Sequence, residues 1–496
     1  MINMYRISSK KSVSHSALHE VPPHPSVIAQ LRVKFNELKK DKLLPQSFTF
    51  EQYYSYWRAE RRGPNVPGLD DGVVVTEDTD MDGPQRITPP AKKLDNGIVV
   101  RTMTLLVDFP DQMASSRWNS NHYRQMLFGE EKAYPSGSMR EYYRTVSGYD
   151  ATGAQSRGID VDGEVYGWFR MPHPLSYYAN GTSGFSKTFP NNGQGLARDA
   201  VQAALNAGVK FEGFDVLGEG FVTALFIVHA GQGAEVTKSK GDIWSHKWGI
   251  PGGIEVDKRT SLKVMTYLTV PEDCQVGVCA HEWGHLAARW ADFYDTTLDD
   301  TKRSNGLGDY CLMASGSWGG NGSTPTLPNG MLRMFHNWVN VVDITQSSSN
   351  VQLKPAAESG GGLLRIKNNR VMNSNQYILV EYRRRRGLDH ALPDEGIAVY
   401  VVDESIEDVN DENHLAIELM QADNKNHLAK VRGGNQGDAN DLYPFLENNT
   451  IGKDTKPSLD LPTKPGSKQS KKWSGVTITV NGVPGADSMS VDIKIE

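Results

Sequence analysis

The run Gly277-Val278-Cys279-Ala280-His281-Glu282-Trp283-Gly284-His285-Leu286-Ala287-Ala288-Arg289-Trp290-Ala291-Asp292 decides how this chain is read. On a helix, His281 and His285 stand four residues apart and share a face, so two imidazole nitrogens reach one zinc ion. Glu282 lies beside them, where a carboxylate takes a proton from a water whose pKa the metal has lowered. Chance register, or an ordinary helix surface, is the alternative. The apolar approach through Val276, Val278 and Ala280, and the flank of Trp283, Leu286 and Ala287, favours a buried zinc helix instead.

Outward from that helix, composition sets the bounds. The chain has 496 residues, enough for two or three domains and at least one large core. Its net charge of -6 and pI near 6.1 give no general reason to expect nucleic acid or an anionic membrane as partner. The run Arg383-Arg384-Arg385-Arg386 reads as a solvated strand end. No stretch approaches the roughly 20 apolar residues of a membrane helix, so a soluble protein is expected. The first twenty residues show no uninterrupted apolar core of a Sec-type signal peptide. Three cysteines, Cys274, Cys279 and Cys311, cannot all pair internally, which excludes a disulfide scaffold. One disulfide stays open, with simple buried thiols as the plainer reading.

In chain order, residues 1–95 read as a separate pro-segment-like region and linker. They hold Pro22-Pro23, an amphipathic helix near Ser26 to Lys40, an aromatic-rich helix near Phe50 to Arg61, and a Gly/Pro/Asp-rich stretch. A plain N-terminal arm is the competing reading. With no cysteine before Cys274, a thiol latch on the metal is excluded, and Asp70 or Asp71 is left as a guess. Residues 96–345 read as a peptidase-like α+β domain. IVVRTMTLLVDFPD is a buried strand, SMREYYRTVSGYD a helix with an aromatic face, and GLARDAVQAALNAG a helix closed by Gly208. FVTALFIVHAG and KVMTYLTVP are strands that precede the zinc helix, the order a zincin-type domain requires, with substrate along a sheet edge. Residues 346–496 read as a β-rich, sandwich-like C-terminal domain, from YILVEYRRR, GIAVYVVDE, HLAIELMQAD, VTITVNG and MSVDIKIE.

A catalytic zinc commonly takes three protein ligands and leaves one position open. The first Glu after Glu282 is Glu358, in a Gly-rich stretch, which weakens a thermolysin-like arrangement. The strict metzincin spacing fails too, because Ala288 and Ala291 stand where Gly and His or Asp are needed. Asp292 comes next. On an unbroken helix it would sit about 10 Å beyond His285, too far to share a metal, so the helix must end and the chain double back. Asp292 is the first choice for third ligand, Asp295 the second and His336 a remote one. The competing reading of either Asp is an outer partner, a calcium ligand or a turn residue.

With these residues in view the chain resembles the immune inhibitor A family of secreted zinc metallopeptidases. LLVDFPD, SMREYYRTVSGYD, DIWSHKWGI, HEWGH with the following D-F-Y-D-T, and DYCLMASGSWGG carry the likeness in family order, from about residue 98 to 445. The resemblance implies a zincin-like, metzincin-related fold with a Met-turn at Met313, and zinc-assisted hydrolysis of protein or peptide substrates by His281, His285 and Glu282. It also implies secretion. In the family, the segment after the second His carries a Gly and reaches its Asp one residue sooner than here. Tyr310, Tyr294 and His246 are candidates for the oxyanion donor, each more simply a packing residue. Asp438, Asn440 and Asp441, or Asp295, Asp299, Asp300 and Asp309, offer oxygens suited to calcium, with polar turns as the alternative. Against the peptidase stands a zinc-binding but non-hydrolytic interaction protein, which would have no need of Glu282.

Overall fold

The computed structural model describes residues 19–62, 94–130, 137–150, 157–294, 304–358, 361–406, 415–430, 433–462 and 471–496. Asp70, Asp71, Asp295, Asp299 and Asp300 lie outside them. A short strand β1 (His19–Glu20) leads into helices α1 (Pro25–Lys40) and α2 (Phe50–Arg62). Val27, Leu31 and Phe35 recur at helical spacing along α1 and meet Phe50 of α2 in a small core of their own.

Strand β2 (Val99–Asp108) and helices α3 (Ser120–Phe128) and α4 (Met139–Ser147) follow. In α4 the Ser138 hydroxyl accepts from the Glu141 amide while the Glu141 carboxylate accepts from the Ser138 amide, a capping box that fixes where this helix starts. Next come β3 (Asp160–Arg170), α5 (Leu175–Ala179), α6 (Gly193–Asn206), β4 (Leu225–His229), α7 (Ala234–Thr237), β5 (His246–Asp257), β6 (Leu262–Pro271) and α8 (Val276–Leu286). As expected, Gly208 closes α6, two residues past its last helical residue Asn206, with a φ of +83° that suits glycine.

Six strands make one mixed sheet in the order β1-β5-β6-β4-β2-β3. The pairs β6/β4, β4/β2 and β2/β3 are parallel, β5/β6 antiparallel, and β1 adds antiparallel to the outer edge of β5. Every residue of β4 is buried, as a parallel strand covered on both faces must be. Strands β3 and β5 were not foreseen. Both contain glycines that break the apolar pattern, Gly163 and Gly167 in one and Gly252-Gly253 in the other, and each pairs with a register shift.

After helix α9 (Gly330–Phe335) the described chain is almost wholly β: β7 (Asn340–Ile344), β8 (Ser348–Leu353), β9 (Gly362–Ile366), β10 (Gln376–Arg383), β11 (Gly396–Asp403), β12 (Ile417–Leu419), β13 (Thr450–Ile451), β14 (Asp460–Pro462), β15 (Lys471–Trp473), β16 (Val476–Asn481) and β17 (Met489–Ile495). One sheet runs β12-β11-β10-β9-β7, another β13-β16-β17-β8. Along β10 and β11 successive side chains alternate between two cores. Tyr377, Leu379, Ala398 and Tyr400 join the core of the six-stranded sheet and α8, while Ile378, Val380, Ile397 and Val399 pack with Ile478, Val480 and Val491 of the β13-β16-β17-β8 sheet.

At the end of β10 the expectation of a solvated basic run holds for Arg385 and Arg386, which are exposed, and is corrected at Arg383. Arg383 is wholly buried, its guanidinium forked onto Asp389 at 2.6 and 2.7 Å and donating to the Tyr310 carbonyl at 2.9 Å. Among the described residues no helix is long and apolar enough to cross a membrane.

Candidate metal centre and active site

All eleven residues of α8 are buried, so the helix is an internal strut rather than an amphipathic surface element. Tyr143 of α4 donates from its hydroxyl to the Ala280 carbonyl at 2.6 Å, and the Trp283 indole donates to Thr102 of β2 at 3.0 Å. Gly284 lets neighbours close in, because a Cβ there would stand 3.0 Å from Met313 Sδ and 2.9 Å from the Trp290 ring. The Met313 expected in a turn behind the metal is therefore packed against the helix at the residue before His285.

The helix ends at Leu286, and the chain reverses. The Ala287 amide bonds Trp283 O, the Trp290 amide returns to Gly284 O at 3.1 Å, and Arg289 between them adopts φ +58°. Arg289 is held there by a two-pronged ion pair to Glu219 on the segment before β4. The Phe293 amide then bonds Met313 O at 2.7 Å. This reversal carries Asp292 back beside the histidines, as the spacing argument required.

The geometry is tight. His281 Nε2 and His285 Nε2 lie 3.0 Å apart, and Asp292 Oδ1 stands 3.3 and 3.1 Å from them. Each imidazole donates its Nδ1–H to a backbone carbonyl, His281 to Leu312 at 2.9 Å and His285 to Trp290 at 2.6 Å; these acceptors assign the tautomer and leave both Nε2 lone pairs facing inward. Two lone pairs and a carboxylate oxygen meeting in a buried place are what a cation bridges. Donors about 2.0–2.2 Å from one tetrahedral zinc stand roughly 3.3–3.6 Å from each other, close to the spacing here. The two-nitrogen, one-oxygen donor set fits zinc chemistry. Burial holds His281 below the ordinary imidazole value, with Asp292 opposing.

Glu282 is also fully buried, and among the described residues the backbone of Val21 approaches its carboxylate, short of full hydrogen-bond geometry. Burial pushes its carboxyl well above the usual range, Asp292 and Glu235 add to this, and the Val21 backbone opposes it. That backbone belongs to the N-terminal segment. His19 and Glu20 pair with Lys247 and His246 of β5, the Val21 carbonyl accepts from the Trp244 indole at 2.8 Å, and the Pro22 carbonyl accepts from the Trp318 indole at 2.7 Å. Val21, Pro22 and Pro23 are buried. The outer edge of β5 is thus taken by the chain's own strand.

The other candidates lie apart from this cluster. His336 accepts from the Trp290 indole at 2.9 Å and donates to the Leu94 carbonyl at 3.2 Å, so it braces the reversal and does not join the three donors. His246 is buried between the Trp244 carbonyl and the Tyr267 hydroxyl, its pKa pushed down to about 4 by burial. Tyr310 donates to Asp438 O and to Asp441 Oδ2. Tyr294 lines a cavity of about 100 Å³ with Pro22, Pro23 and Ser315. Asp438 and Asp441 gather with Asp423, but Gln421 and Tyr310 donate to Asp441, His427 and Asn435 to Asp438, and Lys425 pairs with Asp423. Asp309 is mostly buried, and burial next to Asp441 raises its carboxyl to about 7. Sequence reasoning missed the Leu312 and Trp290 carbonyls and the Arg289–Glu219 pair; backbone acceptors and a left-handed arginine carry no signal in composition or period.

A buried H-E-x-x-H helix whose histidines meet an aspartate returned by a chain reversal, beside a mixed sheet with an antiparallel edge, is the pattern of a metallopeptidase catalytic domain. The family model described as immune inhibitor A peptidase M6, catalytic domain, matches residues 92–340, half of the chain. The chain belongs to that family. It is 30% identical over 322 residues to "Immune inhibitor A" of Bacillus thuringiensis subsp. alesti, covering 54% of this chain and 45% of the relative. It is 27% identical over 309 residues to "Pre-pro-metalloprotease PrtV" of Vibrio cholerae serotype O1 (strain M66-2), covering 51% of this chain and 32% of that protein. The chain thus spans less than half the length of these curated relatives.

Proposed function

We propose that the chain is a zinc-dependent endopeptidase that cleaves protein substrates. The observation that carries this reading is the convergence of His281 Nε2, His285 Nε2 and Asp292 Oδ1 beside a buried Glu282. His281, His285 and Asp292 hold the metal. Bound there, zinc supplies a Lewis acid that polarises the scissile carbonyl and brings water into reach of a carboxylate base. Glu282 takes the proton from the attacking water and delivers it to the departing amine. The Leu312 and Trp290 carbonyls keep both imidazoles in the ligating tautomer. An extended substrate adds to the edge of β5 once β1 has left it, and its backbone supplies the hydrogen bonds that β1 now makes.

Residues 1–95 act as a pro-segment, 96–345 as a zincin-like peptidase domain, and 346–496 as a β-rich, sandwich-like domain. The antiparallel addition of β1 and the burial of Val21 to Pro23 beside Glu282 support a zymogen, in which the segment must leave before substrate enters. The name of the Vibrio cholerae relative says of that protein that it carries a pro-part. Family membership supports secretion. The calcium expected at Asp438 and Asp441 gains no support from this cluster, since protein donors already occupy most of the carboxylate oxygens of Asp423, Asp438 and Asp441.

Casein hydrolysis by the full chain and by the chain lacking residues 1–95, each with and without Glu282→Ala, tests the proposal. Expected is cleavage by the shortened chain, little by the full chain, and loss by at least about 100-fold on Glu282→Ala with zinc retained. If no form cleaves any protein while zinc stays bound, the non-hydrolytic zinc-binding reading takes its place.

A further inference from the structure

Three buried thiols take no part in the metal centre. Cys311 stands by itself, its sulfur accepting from the Asn329 amide at 3.4 Å and from the Asn329 side chain at 3.6 Å. Cys274 and Cys279 face each other, Sγ to Sγ, at 3.6 Å. Their positions on the helix explain why. Gln275 is the N-cap of α8, so Cys274 is the residue before the cap and Cys279 the fourth residue inside, the two places whose side chains meet in a hydrophobic staple. Gln275 makes no side-chain cap, so this contact and the backbone bonds, Cys274 N–H to Pro271 O and Cys279 N–H to Gln275 O, fix the start of the helix.

We propose that Cys274 and Cys279 form a covalent staple: a disulfide modification site at the head of the helix that carries His281 and Glu282, closed when the chain meets an oxidising disulfide such as glutathione disulfide. The sulfurs are already in contact, and closing to about 2.05 Å moves them by roughly 1.5 Å. Cys274, at 7% exposure against none for Cys279, is the less completely buried residue of the two and is taken as the first to react. The Cys274 thiolate attacks one sulfur of glutathione disulfide, and that S–S bond breaks as the mixed disulfide forms and one glutathione leaves. The Cys279 thiolate then attacks the Cys274 sulfur and expels the second glutathione. The protein pair gives up two electrons, glutathione disulfide accepts them, and the two thiol protons end on two reduced glutathiones. Cys311 is left as a thiol. The bond joins the β6–α8 corner to the first turn of α8 and pins the angle at which that helix approaches the metal centre.

The full chain, folded, is equilibrated with glutathione disulfide or with reduced glutathione, then quenched with iodoacetamide in denaturant, digested with trypsin and weighed. The peptide of residues 264–289 holds both cysteines. Expected in the oxidised arm is that peptide about 2 Da lighter and free of alkyl groups, and in the reduced arm the same peptide with two. The Cys311 peptide takes one alkyl group in both arms. Cys274→Ser and Cys279→Ser each return the partner to alkylation, whereas Cys311→Ser leaves the 264–289 peptide linked. Two alkyl groups on that peptide after glutathione disulfide, a glutathione adduct that stays on Cys274, or a link through Cys311 overturns the proposal. The two wild-type arms decide it even where a variant fails to fold.

Discussion

His281 and His285 turn their Nε2 atoms towards each other because each Nδ1–H is committed elsewhere, to the Leu312 and Trp290 carbonyls. Asp292 completes the set with one oxygen. Asp292→Ala is expected to lower zinc affinity by at least the 10–100-fold that outer partners alone are worth, roughly, and zinc content after dialysis against a graded chelator measures it. Unchanged occupancy would remove Asp292 from the site. A second residue-scale effect concerns Glu235, buried on α7, which accepts from the Ser245 amide and hydroxyl. Burial raises its carboxyl from 4.5 to about 7, with the Ser245 bonds opposing. The folded chain therefore binds this proton more tightly than the unfolded one. That stabilisation is complete below the unfolded value and is lost as pH rises through about 7. Against Glu235→Gln, the wild type should lose on the order of 2–3 kcal/mol between pH 5 and 8. Melting temperatures of the two proteins at both pH values check it, and a pH-independent difference counts against the buried proton.

At the scale of elements, α8 matters most, and two glycines let it sit where it does. A Cβ on Gly277 would stand 2.0 Å from Ser317 O and 2.9 Å from Gly322 O, backbone atoms that have no rotamer to change. Gly277→Ala should cost at least about 1–3 kcal/mol, read from chemical denaturation, because helix or loop must shift bodily. At Gly284 the nearest groups are the side chains of Trp290 and Met313, which have more room to adjust. The reversal after α8 is a separate device. The left-handed turn is made by Arg289, the residue after Ala288, and is held by Glu219. That turn brings Asp292 back to the histidines.

At the scale of the whole molecule, the β-rich part is built onto the sheet of the metal centre, because β10 and β11 bury one face in each core. Arg383 ties the two across their boundary, linking Asp389 and Glu381 to the carbonyl of Tyr310, three residues before Met313. Arg383→Met would leave Asp389 buried without its cation, while Glu381 keeps its ion pair to Arg333, and should cost about 3–5 kcal/mol, measured by urea unfolding. A loss under about 1 kcal/mol would mean that the network adds little. What the sequence by itself determined is local. The four-residue spacing of the histidines placed both on one face of a helix, the closing Gly208 marked the end of α6, and runs of apolar residues marked β2, β4, β6, β10 and β11. These signals are written in periods of 3.6 and 2, which a short window contains whole. Only the tertiary structure decided that Asp292 returns to the histidines, that β1 lies along β5 next to Glu282, that Cys274 meets Cys279, and that Arg383 goes inside. Each of these depends on segments brought together by packing, and the free energy that holds them comes from shared burial rather than from any local pattern.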